Sequence, residues 1–175
     1  MEAGRVLIGE EEIAARLREM GEQITRDYEG EALLVVGVLR GAFMVMADLA
    51  RHIRLPVEFD FMAVSSYGSA TKTSGVVRIL KDLDEEIAGR HVLLVEDIVD
   101  SGLTIDYLLK TLRLRRPASI ELATLLVKEN MQRVPVEVRY AGFEIGPEFV
   151  VGYGLDFDQL YRNLPYIGVL EQHSL

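Results

Sequence analysis

The chain holds 175 residues, 49% hydrophobic and 27% charged, with no cysteine and a formal net charge of −9. That length predicts one domain over residues 1–175, burying about two-thirds of its unfolded surface, with the composition of an ordinary globular protein. The acidic surplus argues against a protein that grips nucleic-acid backbone, and the missing cysteines exclude disulfides and thiolate metal sites and make the cytoplasm the default compartment.

Near the start, Glu2, Arg5 and Glu10 to Glu12 interrupt any apolar run, so no signal peptide is expected, and no stretch approaches the roughly 20 apolar residues of a membrane helix. Residues 9–28 read as a helix, with Ile13, Leu17, Met20 and Ile24 at three- and four-residue spacings. The run ALLVVGV at 32–38 suits a strand buried on both faces. Residues 42–53 return to helical spacing through Phe43, Met46, Leu49 and Ile53, with Met44 and Met46 as core filler. Strands are predicted at 57–64 and 76–80, joined by the polar segment SSYGSATKTSG at 65–75 as a long hairpin loop. A buried strand at 91–95, a helix at about 103–113 and a buried strand at 120–127 follow, with shorter strands at 136–140, 149–152 and 166–169. No repeat or linker divides the chain. Buried strands alternating with amphipathic helices give an α/β domain with a mainly parallel central sheet, whose ligand crevice lies at the carboxyl ends of the strands.

The strand-end segment VLLVEDIVDSGLT at 92–104 is the most informative one. An apolar strand runs into Glu96 and Asp97, and a third carboxylate, Asp100, precedes Ser101, Gly102 and Thr104 at a helix start. Backbone N–H groups, two hydroxyls and the positive end of a helix dipole make an anion site fit for a phosphate monoester, and Gly102 lets the backbone come close. Glu96 and Asp97 are suited to sugar hydroxyls or to a share in holding magnesium. An acidic turn with an Asp-Ser-Gly cap is by itself an ordinary solvated loop; the full run of strand, paired acids, third acid and hydroxyl-rich helix start points to a site.

This segment resembles the phosphoribosyl-diphosphate signature of the type I phosphoribosyltransferases, and nearly the whole chain is similar to their hypoxanthine-guanine branch. The resemblance implies a central sheet flanked by helices, a small hood built from terminal segments and a flexible hairpin lid. It implies that Ser101, Gly102, Leu103 and Thr104 bind the 5′-phosphate, that Glu96 and Asp97 sit by the ribose hydroxyls and magnesium, and that Asp100 is the general base for the purine N7 proton. Leu103 stands where the family often has a basic residue, but there a backbone N–H makes the contact. Arg40 and Gly41, after the first buried strand, resemble the diphosphate loop, which in the family carries a cis peptide before its basic residue; lysine is common there, and arginine keeps the cation with a different shape. Ser66 and Tyr67 match the start of the lid, which would keep water from an oxocarbenium-like transition state. Lys128 matches the donor to the purine O6, Phe149 a stacking residue, Val150 a backbone contact to the base, and Asp156 a residue near the purine 2-position and a second magnesium. Arg162 matches an arginine that reaches the diphosphate. Taken singly, each of these residues also has an ordinary structural reading; their shared order and spacing carry the resemblance.

The implied reaction is magnesium-dependent transfer of a phosphoribosyl group from its diphosphate donor to N9 of hypoxanthine or guanine, in an enzyme that is a homodimer or homotetramer without nucleic-acid or membrane partners. Preference for xanthine and guanine, or for hypoxanthine alone, stays open, because contacts at the 2-position are partly backbone. A nucleotide-sensing regulator on the same fold and a nucleotide-binding domain without turnover are the alternatives of another class; Asp100, the Ser66-Tyr67 pair and the acidic charge weigh against the regulator. His52, His91 and His173 lack metal-ligand spacing and receive no role. With Asn130 and Asn163 as its only asparagines, the composition has a thermophile-like cast.

Overall fold

A computed structural model describes residues 4–67 and 76–171. In chain order the elements are β1 (Val6–Ile8), α1 (Glu10–Asp27), β2 (Leu33–Leu39), α2 (Phe43–Ala50), β3 (Val57–Tyr67), β4 (Val76–Lys81), β5 (His91–Val99), α3 (Leu103–Arg113), β6 (Ser119–Lys128), β7 (Tyr140–Ile145), β8 (Val150–Val151) and β9 (Ile167–Val169). Six strands form one sheet in the order β4-β3-β2-β5-β6-β7. All its pairs are parallel except the β3–β4 hairpin.

The continuous apolar runs of β2 and β5 follow from burial on both faces. Leu33 and Val35 of β2 join Leu93 and Val95 of β5 in the core packed by α1 and α2. Their neighbours Leu34, Val36, Val92 and Leu94 point the other way, into the core packed by α3 through Ile105, Leu108, Leu109 and Leu112. Alternate side chains of a strand face opposite sides, so every residue of such a strand must be apolar. Helix α1 starts where the Glu12 carboxylate accepts the Gly9 N–H at 3.1 Å, with Glu10 to Glu12 at the positive end of the helix dipole.

The terminal segments form the expected hood, an antiparallel three-stranded sheet in the order β1-β9-β8. Its strand β1 has only three residues, too few to leave a periodic signal. Three expectations need correction. The hairpin ladder extends past residue 64: Ser65, Ser66 and Tyr67 pair with Arg78, Val77 and Val76, so the predicted loop begins later, and its remainder, 68–75, lies outside the described residues. The predicted strand at 136–140 is displaced: β7 begins at Tyr140. Val136 and Val138 are partly buried against the α3-side core instead, so their alternation records packing of an extended segment, not a ladder. Helix α2 ends at Ala50, shorter than predicted, with Ile53 buried in the turn after it.

Candidate active site

The chain winds from β2 through α2 to β3 in one direction and from β5 through α3 to β6 in the other, so the order reverses between the adjacent strands β2 and β5. At such a reversal the loops leaving the two strands splay apart and open a crevice. The loop after β2 carries Arg40 and Gly41, and the loop after β5 carries Asp100 to Gly102. Lys128 ends β6. The segment from Phe149 to Arg162 closes the group, held to the crevice by the contacts described below.

The peptide between Leu39 and Arg40 is cis. Gly41 lies so close to Asp97 that a Cβ there would fall 1.8 Å from the Asp97 Oδ2. Gly154, at φ +99°, packs on the same loop: a Cβ at this position would sit 2.1 Å from the Gly41 carbonyl oxygen. No side chain fits between these two backbones, which locks the 149–162 segment against the β2 loop. At the start of α3, Gly102 is the N-cap at φ +81°, and the Leu103 N–H reaches the Ser101 Oγ at 3.4 Å. The next N–H groups of the first turn have no helical carbonyl to bond, and the Ser101 and Thr104 hydroxyls lie beside them in sequence.

The acids differ in setting. Glu96 is buried, and burial first, then the neighbouring Asp97 charge, pushes its carboxyl well above the usual range. Burial also raises Asp97, against the Ile98 N–H that its Oδ1 accepts at 2.7 Å. Asp100 is exposed, and its Oδ2 lies 3.2 Å from the Nζ of Lys128, whose side chain is 10% exposed. A buried lysine facing one half-exposed carboxylate is an ion pair open to a ligand on one side.

Arg162 is fixed from two sides, its Nη1 donating to the Gly154 carbonyl at 2.7 Å and its Nη2 lying 3.1 Å from the Asp156 Oδ1. Phe149 is 42% exposed and meets Phe157 edge to face with centroids 5.9 Å apart. Val150 is buried and paired with Val169 in the hood. The structure thus brings Arg40, Gly41, Asp97 and the 154–162 turn into contact, and joins Asp100 to Lys128. Ser66 and Tyr67 stand at the far end of β3. Among the described residues no three His, Cys, Asp or Glu side chains converge as a metal cage, and Asp156 uses its two oxygens on Arg162 and the Gln159 N–H. The Glu96-Asp97 pair is a different case: these two adjoining carboxylates could hold a magnesium ion whose other ligands are water and substrate oxygens, and charge from such an ion would offset the burial that raises them. Sequence reasoning missed Gln159. It lies in a turn at positive φ, where a polar residue in a short irregular segment gives no pattern.

The phosphoribosyl transferase domain model matches residues 8–158. The chain is 54% identical over 172 residues to the hypoxanthine-guanine phosphoribosyltransferase of Mycobacterium tuberculosis, covering 95% of this chain and 85% of that protein. It is 50% identical over 167 residues to the enzyme of the same name from Bacillus subtilis, covering 95% and 93%. A crystal structure of a hypoxanthine-guanine phosphoribosyltransferase from Bacillus anthracis superposes with a TM-score of 0.93 at 44% identity, covering 97% of this chain and all of that one.

Proposed function

The chain belongs to the phosphoribosyl transferase family, and from that footing we infer that it is a purine-salvage enzyme moving the 5-phosphoribosyl group of phosphoribosyl diphosphate to N9 of hypoxanthine or guanine, releasing diphosphate. The observation that carries the reading beyond family membership is the Asp100–Lys128 pair at the crevice. An acceptor and a donor 3.2 Å apart match the adjacent N7 and O6 edge of a 6-oxopurine. When the base enters, Lys128 transfers its N–H from Asp100 to O6. Asp100, released, takes the N7 proton as the N9–C1′ bond forms and the C1′–diphosphate bond breaks.

Phe149 stacks on the base and the Val150 backbone meets its edge. Ser101 to Thr104 hold the 5′-phosphate by N–H and hydroxyl groups, and Glu96 and Asp97 accept the ribose hydroxyls. Arg40, the Gly41 N–H and Arg162 stabilise the charge that develops on the leaving diphosphate, the largest electrostatic demand of the reaction. Glu96 and Asp97 would hold magnesium, which when bound would supply charge neutralisation for the donor; Asp156 would reach the purine 2-position or a second ion only by letting go of Arg162 or Gln159. Ser66 and Tyr67 begin a lid that excludes water. The exposed Phe43, Phe59 and Phe61 around a groove of about 440 Å³ give an apolar face suited to a homodimer or homotetramer. No described helix is long and apolar enough to cross a membrane, and the cytoplasm suits a chain without cysteine. The test is turnover of hypoxanthine, guanine and adenine with the donor and magnesium, repeated in excess chelator. Both 6-oxopurines should be used and adenine rejected, with no turnover in chelator; efficient use of adenine, or full activity without metal, would overturn the reading.

A further inference from the structure

Two arginines of the crevice share one partner that no functional role accounts for. The Gln159 Oε1 accepts the Arg40 Nη1 at 2.9 Å and the Arg162 Nη2 at 3.1 Å. Arg40 comes from the loop after β2, and Arg162 lies more than a hundred residues later; this amide joins them. Gln159 is held in turn, with φ +67° and its N–H donating to the Asp156 Oδ2 at 2.8 Å. The Asp156 Oδ1 pairs with Arg162. The result is a closed ring of Asp156, Gln159 and Arg162 to which Arg40 is tethered. Gln159 itself is exposed and supports no core.

We propose that Gln159 is a positioning residue for the donor: its side-chain carbonyl gathers the guanidiniums of Arg40 and Arg162 at one point, so that both are in place before the diphosphate arrives. The proposal rests on the reading that these arginines bind the diphosphate. Two guanidiniums brought together repel each other, and an acceptor oxygen between them offsets that repulsion while fixing their planes. An exposed arginine otherwise samples many rotamers and loses that freedom on binding, a loss equivalent to about three- to tenfold in affinity for one immobilised side chain. Tethering Arg40 removes the loss from the binding step.

The experiment compares Gln159→Met, which keeps the length and removes the acceptor, and Gln159→Glu, which keeps an acceptor oxygen, with Arg40→Met and Arg162→Met. Steady-state kinetics are measured with the donor and the purine varied separately. Gln159→Met should raise the donor KM and the inhibition constant of the product diphosphate about three- to tenfold, with kcat falling by less and the purine KM moving less than twofold. Gln159→Glu should restore the donor KM to within about threefold of the parent. If both arginine variants raise the donor KM and Gln159→Met does not, the positioning role is wrong while the diphosphate reading stands. Equal shifts in donor and purine KM for Gln159→Met would also overturn it, since they mark general distortion. If neither arginine variant changes the donor KM, the diphosphate reading itself fails and the proposal fails with it.

Discussion

Replacing Gly154 by alanine probes how the 149–162 segment holds the loop after β2, the proposed diphosphate site. The new Cβ would lie 2.1 Å from the Gly41 carbonyl oxygen, which is backbone and cannot rotate aside. Reaching ordinary contact needs a retreat of roughly 1 Å. Both groups that would move matter: Gly41 belongs to the proposed diphosphate site, and Gly154 accepts the Arg162 guanidinium and donates its own N–H to the Arg162 carbonyl at 2.9 Å. Misplacement by about 1 Å costs on the order of a hundredfold in rate, so kcat/KM for the donor should fall about that far. The residue also sits at φ +99°, and strain of about 1–3 kcal/mol lowers the melting temperature of a chain this size by roughly 3–10 °C. Gly30→Ala is the control, because Gly30 has φ +80° with nothing within 4 Å of the new Cβ. It should cost about 1–2 kcal/mol of stability and leave the kinetics alone. Initial rates over a donor series, with thermal unfolding of all three proteins, decide the matter. A Gly154→Ala enzyme with the parent's donor kinetics would refute the claim that this backbone contact sets the diphosphate loop.

Asp100→Asn keeps the shape of the acid and removes its basicity; turnover should drop about 10²–10⁴-fold with donor binding nearly unchanged, and near-normal turnover would take Asp100 out of the mechanism. Glu96→Gln tests the cost of the buried acid. Because burial raises the Glu96 carboxyl in the folded chain, the unfolded chain releases that proton at a lower pH, and stability is lost as pH rises above the ordinary carboxylate range. The variant should therefore melt with the parent near about pH 4 and above it at pH of about 8, while losing activity; a lower melting temperature at the higher pH would contradict the assignment.

The parts of this protein that sequence exposes are those whose constraint is local and repeated. Leu33 to Val38 had to be apolar throughout because both sheet faces are covered, and the carboxylate run at Glu96, Asp97 and Asp100 stands out because it interrupts a second such strand. What stayed hidden depends on contacts distant in the chain. Val136 and Val138 alternate like a strand yet pack on α3 without a ladder. The ion pair between Asp100 and Lys128, the contact of Gly154 with Gly41 and the gathering of Arg40 and Arg162 by Gln159 each join different strand ends, so no spacing within one segment announces them. Family resemblance named most of these residues, but not which of them touch.

Lys128→Ala tests whether one buried lysine selects the purine. Stacking on Phe149 cannot distinguish an oxygen from an amino group at position 6, whereas an ammonium has donors and no acceptor. A site built around such a bond rejects the wrong partner by several orders of magnitude. Turnover efficiency with hypoxanthine, guanine and adenine, compared between parent and variant, should show the 6-oxopurine preference collapse through loss of hypoxanthine and guanine use. An unchanged ratio of hypoxanthine to adenine in Lys128→Ala would contradict the account and leave Lys128 as the structural partner of Asp100.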